Sequence, residues 1–175
     1  MKALVVYESM FGNTHLVADR IAAGMRPRME VEVVSVHDAT AERVAAVDLV
    51  VVGAPTHAHG LPSSQSRKGA VEMAAKPDSG LTLDPGHAGE GLRDWFHDLH
   101  PGRGLLAAAF DTRIDVSPLL SGRASKAIAR RLEQHGFALV TDPESFLVDK
   151  QSHLLEGEAD RAERWGASLY VGVHA

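Results

Sequence analysis

The sequence predicts an α/β protein, a three-layer α/β/α sandwich around a five-stranded parallel sheet. Two observations carry this. Short apolar runs recur at 3–7 (ALVVY), 49–53 (LVVVG) and 105–110 (LLAAAF), the first two rich in valine, and they are continuous, as strands covered on both faces require. Between them lie stretches with apolar residues at helical spacing, the alternation that builds parallel sheets. The 175 residues suffice for one such domain, read as 1–175.

Taken in order, residues 3–7 form the first strand, and a helix follows with Leu16, Val17, Ile21 and Met25 on one face and Pro27 beyond its end. Residues 31–36 read as a strand, 40–47 as a short helix, and 49–53 as the third strand. About fifty residues then precede the fourth strand, more than one crossover helix needs. This extra segment, about 63–100, holds one helix within 62–76 and a second within 90–100, where Leu92, Trp95, Phe96 and Leu99 are apolar. Between them, 77–89 is rich in Gly, Pro and Asp and reads as a surface loop. The fourth strand is 105–110, followed by a helix over 121–135 with Gly136 at its C-terminal cap. The fifth strand is broken by Thr141-Asp142-Pro143 into 137–140 and 145–148. An amphipathic helix over about 156–170 closes the chain, with Ala159, Ala162, Trp165 and Leu169 on its apolar side.

Composition narrows the chemistry. Hydrophobic residues make up 45% and charged residues 23%, ordinary for a globular protein. The net charge of −5 and the lack of a basic tract argue against nucleic-acid binding. Without cysteine there are no disulfides, thiolate nucleophiles or iron–sulfur ligands, so any redox chemistry has to come from a cofactor. No apolar run reaches the length of a membrane span or a signal-peptide core, and the expected location is cytoplasmic.

The chemistry-bearing segment is the first strand-to-helix turn, Ser9-Met10-Phe11-Gly12-Asn13-Thr14. A helix N-terminus presents unpaired N–H groups and a partial positive charge, and Gly12 lets the backbone approach an oxygen closely. Ser9, Asn13 and Thr14 can either donate to a bound anion or cap the helix themselves. Neither a G-x-G-x-x-G nor a G-x-x-x-x-G-K-[ST] pattern is present.

Residues 5–14 (VVYESMFGNT), with Ala18 and Ile21 behind them, resemble the N-terminal signature of the flavodoxin family. The resemblance implies strand order 2-1-3-4-5 and a noncovalent flavin mononucleotide (FMN) whose phosphate sits on 9–14 without a lysine. It also implies a ring-binding loop at Pro55, Thr56, His57, Ala58, His59 and Gly60, where a peptide beside Gly60 flips toward the reduced flavin. A second such loop is expected at Phe110, Asp111, Thr112 and Arg113. Arg113 there would face the reduced flavin or be a solvated charge. Two departures from the family stand out. Phe11 replaces a residue that is commonly hydroxylic in electron carriers, and neither ring loop contains the usual Tyr or Trp.

The expected function is an FMN-dependent redox protein that passes electrons to a partner protein or a small acceptor, as a monomer or homodimer. The alternatives are an NAD(P)H-dependent quinone-type reductase and an interaction module with weak or lost FMN binding. No catalytic residue is assigned. The ten histidines offer His57-x-His59 and His97-x2-His100 as pairs, but neither pair has a third ligand, and no metal is expected. Ser63, Ser64 and Ser66 lack the elbow of a nucleophilic serine and read as a helix entry.

Overall fold

The computed structural model describes residues 1–57 and 60–174. Six strands form one sheet in the order β2-β1-β3-β4-β5, with β6 also on β4. β1 (Lys2–Tyr7) pairs in parallel with β2 (Glu30–Ser35) and β3 (Leu49–Pro55), and β3 pairs in parallel with β4 (Leu106–Ile114). The broken fifth strand takes the form the Asp142-Pro143 step requires. β5 (Ala138–Leu139) lies on Leu106 and Ala107, β6 (Glu144–Val148) lies on 110–114, and the two share one edge of β4.

Alternate strand residues feed two cores. Leu4, Val6, Val50, Val52, Ala107 and Ala109 face α2 (Ala41–Ala45), α4 (Leu92–Asp98) and α6 (Ala124–Gln134). Ala3, Val5, Val51, Ala108 and Phe110 face α1 (Asn13–Met25) and α7 (Glu158–His174). Trp95 and Phe96 are core residues, as the helical spacing predicts, and Trp95 Nε1 donates to Ala39 O at 2.8 Å.

Two boundaries differ from the sequence reading, and the surface loop at 77–89 proves to be tied down. The fourth strand runs on to Ile114, because 110–114 pair with β6 on one side while 110–112 pair with β3 on the other. The helix expected at 121–135 is α6, which starts only at Ala124, and a separate short helix, α5 (Pro118–Ser121), precedes it across Gly122 at φ +72°. The 77–89 segment is anchored. Asp84 N donates to Met10 O at 2.8 Å, Asp84 caps a 3-10 turn at Pro85–His87, and its side chain is buried. The remaining helix, α3 (Ser64–Ala74), starts at a Ser63/Ser66 capping box.

Candidate functional site

A cavity of about 440 Å³ opens at the C-terminal ends of β1, β3 and β4, where a doubly wound sheet places ligands. Ser9, Met10, Phe11, Asn13 and Thr14 form one wall and Pro55, Thr56 and His57 a second. Thr112, Arg113 and Ile114 contribute from β4.

The turn at 9–14 does not cap its own helix. Gly12, at φ +89°, occupies the N-cap position of α1, where left-handed backbone favours glycine, and no side chain caps the helix. Each candidate cap is bonded elsewhere. Ser9 Oγ accepts from Gly12 N at 3.1 Å, and Asn13 Nδ2 donates to Ser152 O at 2.6 Å. The hydroxyls of Thr14 and Thr112 pair at 2.7 Å. The N–H groups of the first turn of α1 are therefore left without an intrahelical acceptor at the edge of the cavity.

Behind the turn, Asp84 accepts from Gly86 N at 2.7 Å and contacts His15 Nδ1 at 3.0 Å, and the His15 ring stacks on Tyr7 with centroids 4.2 Å apart. Burial, with Asp84, Asp19 and Asp38 nearby, pushes the Tyr7 phenol up to about 12. Glu8, at the end of β1, is buried as well. Its Oε2 accepts from Leu92 N at 2.9 Å, and Oε1 lies 3.3 Å from Arg67 Nε. Burial holds this carboxyl above its ordinary value, against the Leu92 N–H and Arg67.

On the second wall, Thr56 Oγ1 accepts from Ala124 N at 2.9 Å, which leaves its hydroxyl hydrogen for another acceptor. His57 and Gly60 exchange both backbone hydrogen bonds, at 2.8 and 2.9 Å. The N–H and C=O of Gly60 are thus both engaged with His57. The ring-loop residues Ala58 and His59 lie outside the described residues.

The fourth-strand segment behaves differently from the loop expected of it. Phe110 and Asp111 are fully buried and do not line the cavity. Phe110 packs edge-to-face on Phe146 and Trp165. Asp111 Oδ2 accepts from Ser125 N at 2.7 Å, so together with Thr56 it caps α6, a helix whose own N-cap residue supplies no side-chain bond. Burial pushes the Asp111 carboxyl up, opposed by the Ser125 N–H. Thr112 and Arg113 do reach the cavity, but Arg113 is no solvated charge. Its Nη1 donates to Val116 O at 2.8 Å and Ile114 O at 3.2 Å, bracing the chain before α5.

Sequence reasoning missed four contributors to the wall: Met73 at the end of α3, Ile114 at the end of β4, Leu120 and Ser121 of α5, and, at the end of β6 and in the loop after it, Val148, Asp149, Lys150 and Ser152. The last group carried a signal. A fifth strand running parallel to β4 has to end on the same side of the sheet as the 9–14 turn, so the loop after it belongs to the site. Met73 and Leu120 are exposed apolar residues with no motif to mark them. Among the described residues no cluster of three or more His, Asp or Glu is placed to hold a metal, and no helix is long and apolar enough to cross a membrane.

Parallel order 2-1-3-4 with a cavity at the β1/β3 crossover defines a doubly wound α/β protein with a ligand-sized cavity at its switch point. Residues 4–67 match the model of the flavodoxin domain family. Solved structures agree over the whole chain. An archaeal flavodoxin superposes with a TM-score of 0.68 at 20% identity, covering 100% of both chains. Oxidised flavodoxin 1 from Bacillus cereus gives 0.66 at 20% identity over 98% of each chain. The flavodiiron core of Flv1 from Synechocystis sp. PCC6803 gives 0.64 at 15% identity, covering 99% of this chain and 36% of that one. A search of curated proteins finds no match. The chain is flavodoxin-like: the fold is shared throughout, and residues 4–67 carry the sequence pattern of the domain.

Proposed function

We propose that the chain binds FMN noncovalently in this cavity and acts as a redox flavoprotein, passing electrons to a partner protein or a small acceptor. One observation carries the reading: the first turn of α1 opens on the cavity uncapped, while Ser9, Asn13 and Thr14 are bonded elsewhere. A helix that ends on its own side chains has no need of an anion, whereas this one has N–H groups to spare for a phosphate. The 9–14 turn would hold the phosphate, and Thr56 would offer its free hydroxyl hydrogen to the phosphate or ribityl chain. Among the described residues, Phe11 and His57 are the ring-bearing residues of the cavity wall available to the isoalloxazine. When bound, the flavin supplies the electron chemistry, and the protein supplies orientation and electrostatics.

Titrating the protein into FMN tests this directly. Quenching of flavin fluorescence is expected, and its absence at tens of micromolar would overturn the proposal. The aliphatic wall built by Met73 and Leu120 favours a second reading, a reductase of small apolar acceptors that would enter over the flavin. Steady oxidation of NAD(P)H in the presence of a soluble quinone would support it.

A further inference from the structure

His57 lies on the cavity wall, and its Nδ1 lies 3.2 Å from Ser66 Oγ in the cap of α3. In the capping box, Ser63 N donates to Ser66 Oγ at 2.9 Å, and Ser66 Oγ lies 3.1 Å from Ser63 O, the acceptor for its hydroxyl hydrogen. A hydroxyl has one hydrogen and two lone pairs. With the hydrogen on Ser63 O and one lone pair taken by Ser63 N–H, a lone pair is what remains for His57 Nδ1, 3.2 Å away. In that arrangement Nδ1 carries the hydrogen, and the neutral ring bears its lone pair on Nε2. Among the described residues nothing bonds Nε2. A proton added there leaves the bond to Ser66 intact, so the ring can change charge without moving.

The surroundings favour the neutral form while the cavity is free of added negative charge. Burial lowers the His57 titration, and Arg67, one residue on from Ser66, lowers it further. Arg67 faces Glu8 from β1 and donates to the carbonyls of His87 and Gly89. Arg113 from β4 and Lys150 from the β6–α7 loop line the same cavity, with Asp149 as the acidic member.

We propose that His57 is a proton-exchange residue of the cavity, an imidazole held with Nδ1–H on Ser66 that takes one solvent proton at Nε2 when the bound ligand gains negative charge and releases it when that charge leaves. This deepens the FMN reading and rests on it. With dithionite as the reductant, itself oxidised to sulfite, two electrons enter the cavity. Of two protons drawn from water, one would offset charge on the reduced ligand and the second would go to Nε2, so the charge of the cavity would be unchanged. By linkage, whatever factor reduction adds to proton affinity at His57, the proton adds to the ease of reduction.

Nitrogen-15 NMR of the histidine rings tests this, with the His57→Gln variant used to assign the signal. In the ligand-free protein, His57 is expected as the Nδ1–H tautomer at pH 7, titrating below the ordinary imidazole range because of its burial. In the FMN-loaded protein, its midpoint is expected to rise by about one pH unit or more on reduction, roughly a tenfold gain in proton affinity. Replacing Ser66 with alanine should mix the tautomers, and replacing it with threonine should restore Nδ1–H. An Nε2–H tautomer in the ligand-free protein overturns the proposal, and so does a midpoint that does not move on reduction. If the wild type quenches FMN fluorescence and the midpoint is unmoved, this proposal falls alone. If the wild type does not quench, the FMN reading falls and takes this one with it.

Discussion

Asn13 separates a phosphate site from a self-capped helix most sharply. Its amide donates to Ser152 O at 2.6 Å across 139 positions of sequence, bracing the 9–14 turn against the β6–α7 loop. Replacing it with alanine removes that one bond, worth about 1 kcal/mol net and up to about 3 kcal/mol if the Ser152 carbonyl is left buried without a partner. Replacing it with aspartate removes the same donor and adds a negative charge at the start of α1. In the ligand-free protein the charge is mildly favourable, by about 0.3–1 kcal/mol, because it faces the positive end of the helix. Against a phosphate dianion it is not. Over one helical turn, about 5 Å, a unit charge opposing a dianion costs about 1.7 kcal/mol even at the dielectric of water, and more in a partly buried site. Asn13→Asp should therefore weaken FMN binding by at least about tenfold beyond Asn13→Ala, a gap that narrows at high salt as the charge is screened. Fluorescence-quenching titrations of both variants at about 20 mM and about 500 mM salt measure this, with urea melts to confirm that each is folded. If the two bind FMN equally at both salt concentrations, the phosphate is not at the start of α1.

Other perturbations test the frame around the site. Thr14→Val and Thr112→Val should each cost about 1–3 kcal/mol by stranding the partner hydroxyl, while the double variant should cost less than the sum; additive urea-melt losses would disprove the pairing. Arg67→Ala strips the buried Glu8 of its cation and should cost about 3–5 kcal/mol near neutral pH. Burial already raises the Glu8 titration, so its protonated form supports the fold at low pH and that support is lost as pH rises through the raised value. The Arg67→Ala deficit should accordingly be larger at about pH 8 than at about pH 5, and equal deficits would refute the account. Asp111 is likewise raised by burial, and an asparagine in its place would keep an acceptor for the Ser125 N–H. Asp111→Asn should gain stability relative to wild type at about pH 8, with the gain fading toward about pH 4, and a loss at the higher pH would show that the carboxylate is needed charged.

The strands that were easiest to read are those whose side chains have no task but burial: 3–7 and 49–53 are apolar throughout and buried throughout. The second half of β4 was missed because its polar residues look solvated in sequence. Asp111 is polar in order to cap α6, and Thr112 in order to meet Thr14, and both partners lie far along the chain. The same distance hid the true partner of Asn13: capping is a local habit of such residues, and only folding shows that Ser152 claims the amide. The break in the last strand was legible because Asp-Pro disrupts a ladder whatever surrounds it. The anchored segment around Asp84 was not, since Gly- and Pro-rich composition specifies turns but not what they rest against.

These long-range bonds share a purpose within the proposed function. The 9–14 turn contains no Lys or Arg, so what the turn itself offers a phosphate is dipoles. Dipoles bind an anion well only if they are already aimed, because turning them on binding consumes the energy they provide. The turn is fixed from three directions: Asp84 N–H on Met10 O, the Thr112 hydroxyl on Thr14, and the Ser152 carbonyl on Asn13. Each brace comes from a different element, the inserted segment, β4 and the β6–α7 loop, and the N–H groups it positions are not consumed by it. The insertion before β4 is thereby part of the site although it contributes only Met73 to the cavity wall. Loosening a brace should lower affinity for the anion with every donor still in place, the loss expected when rigidity replaces a cation.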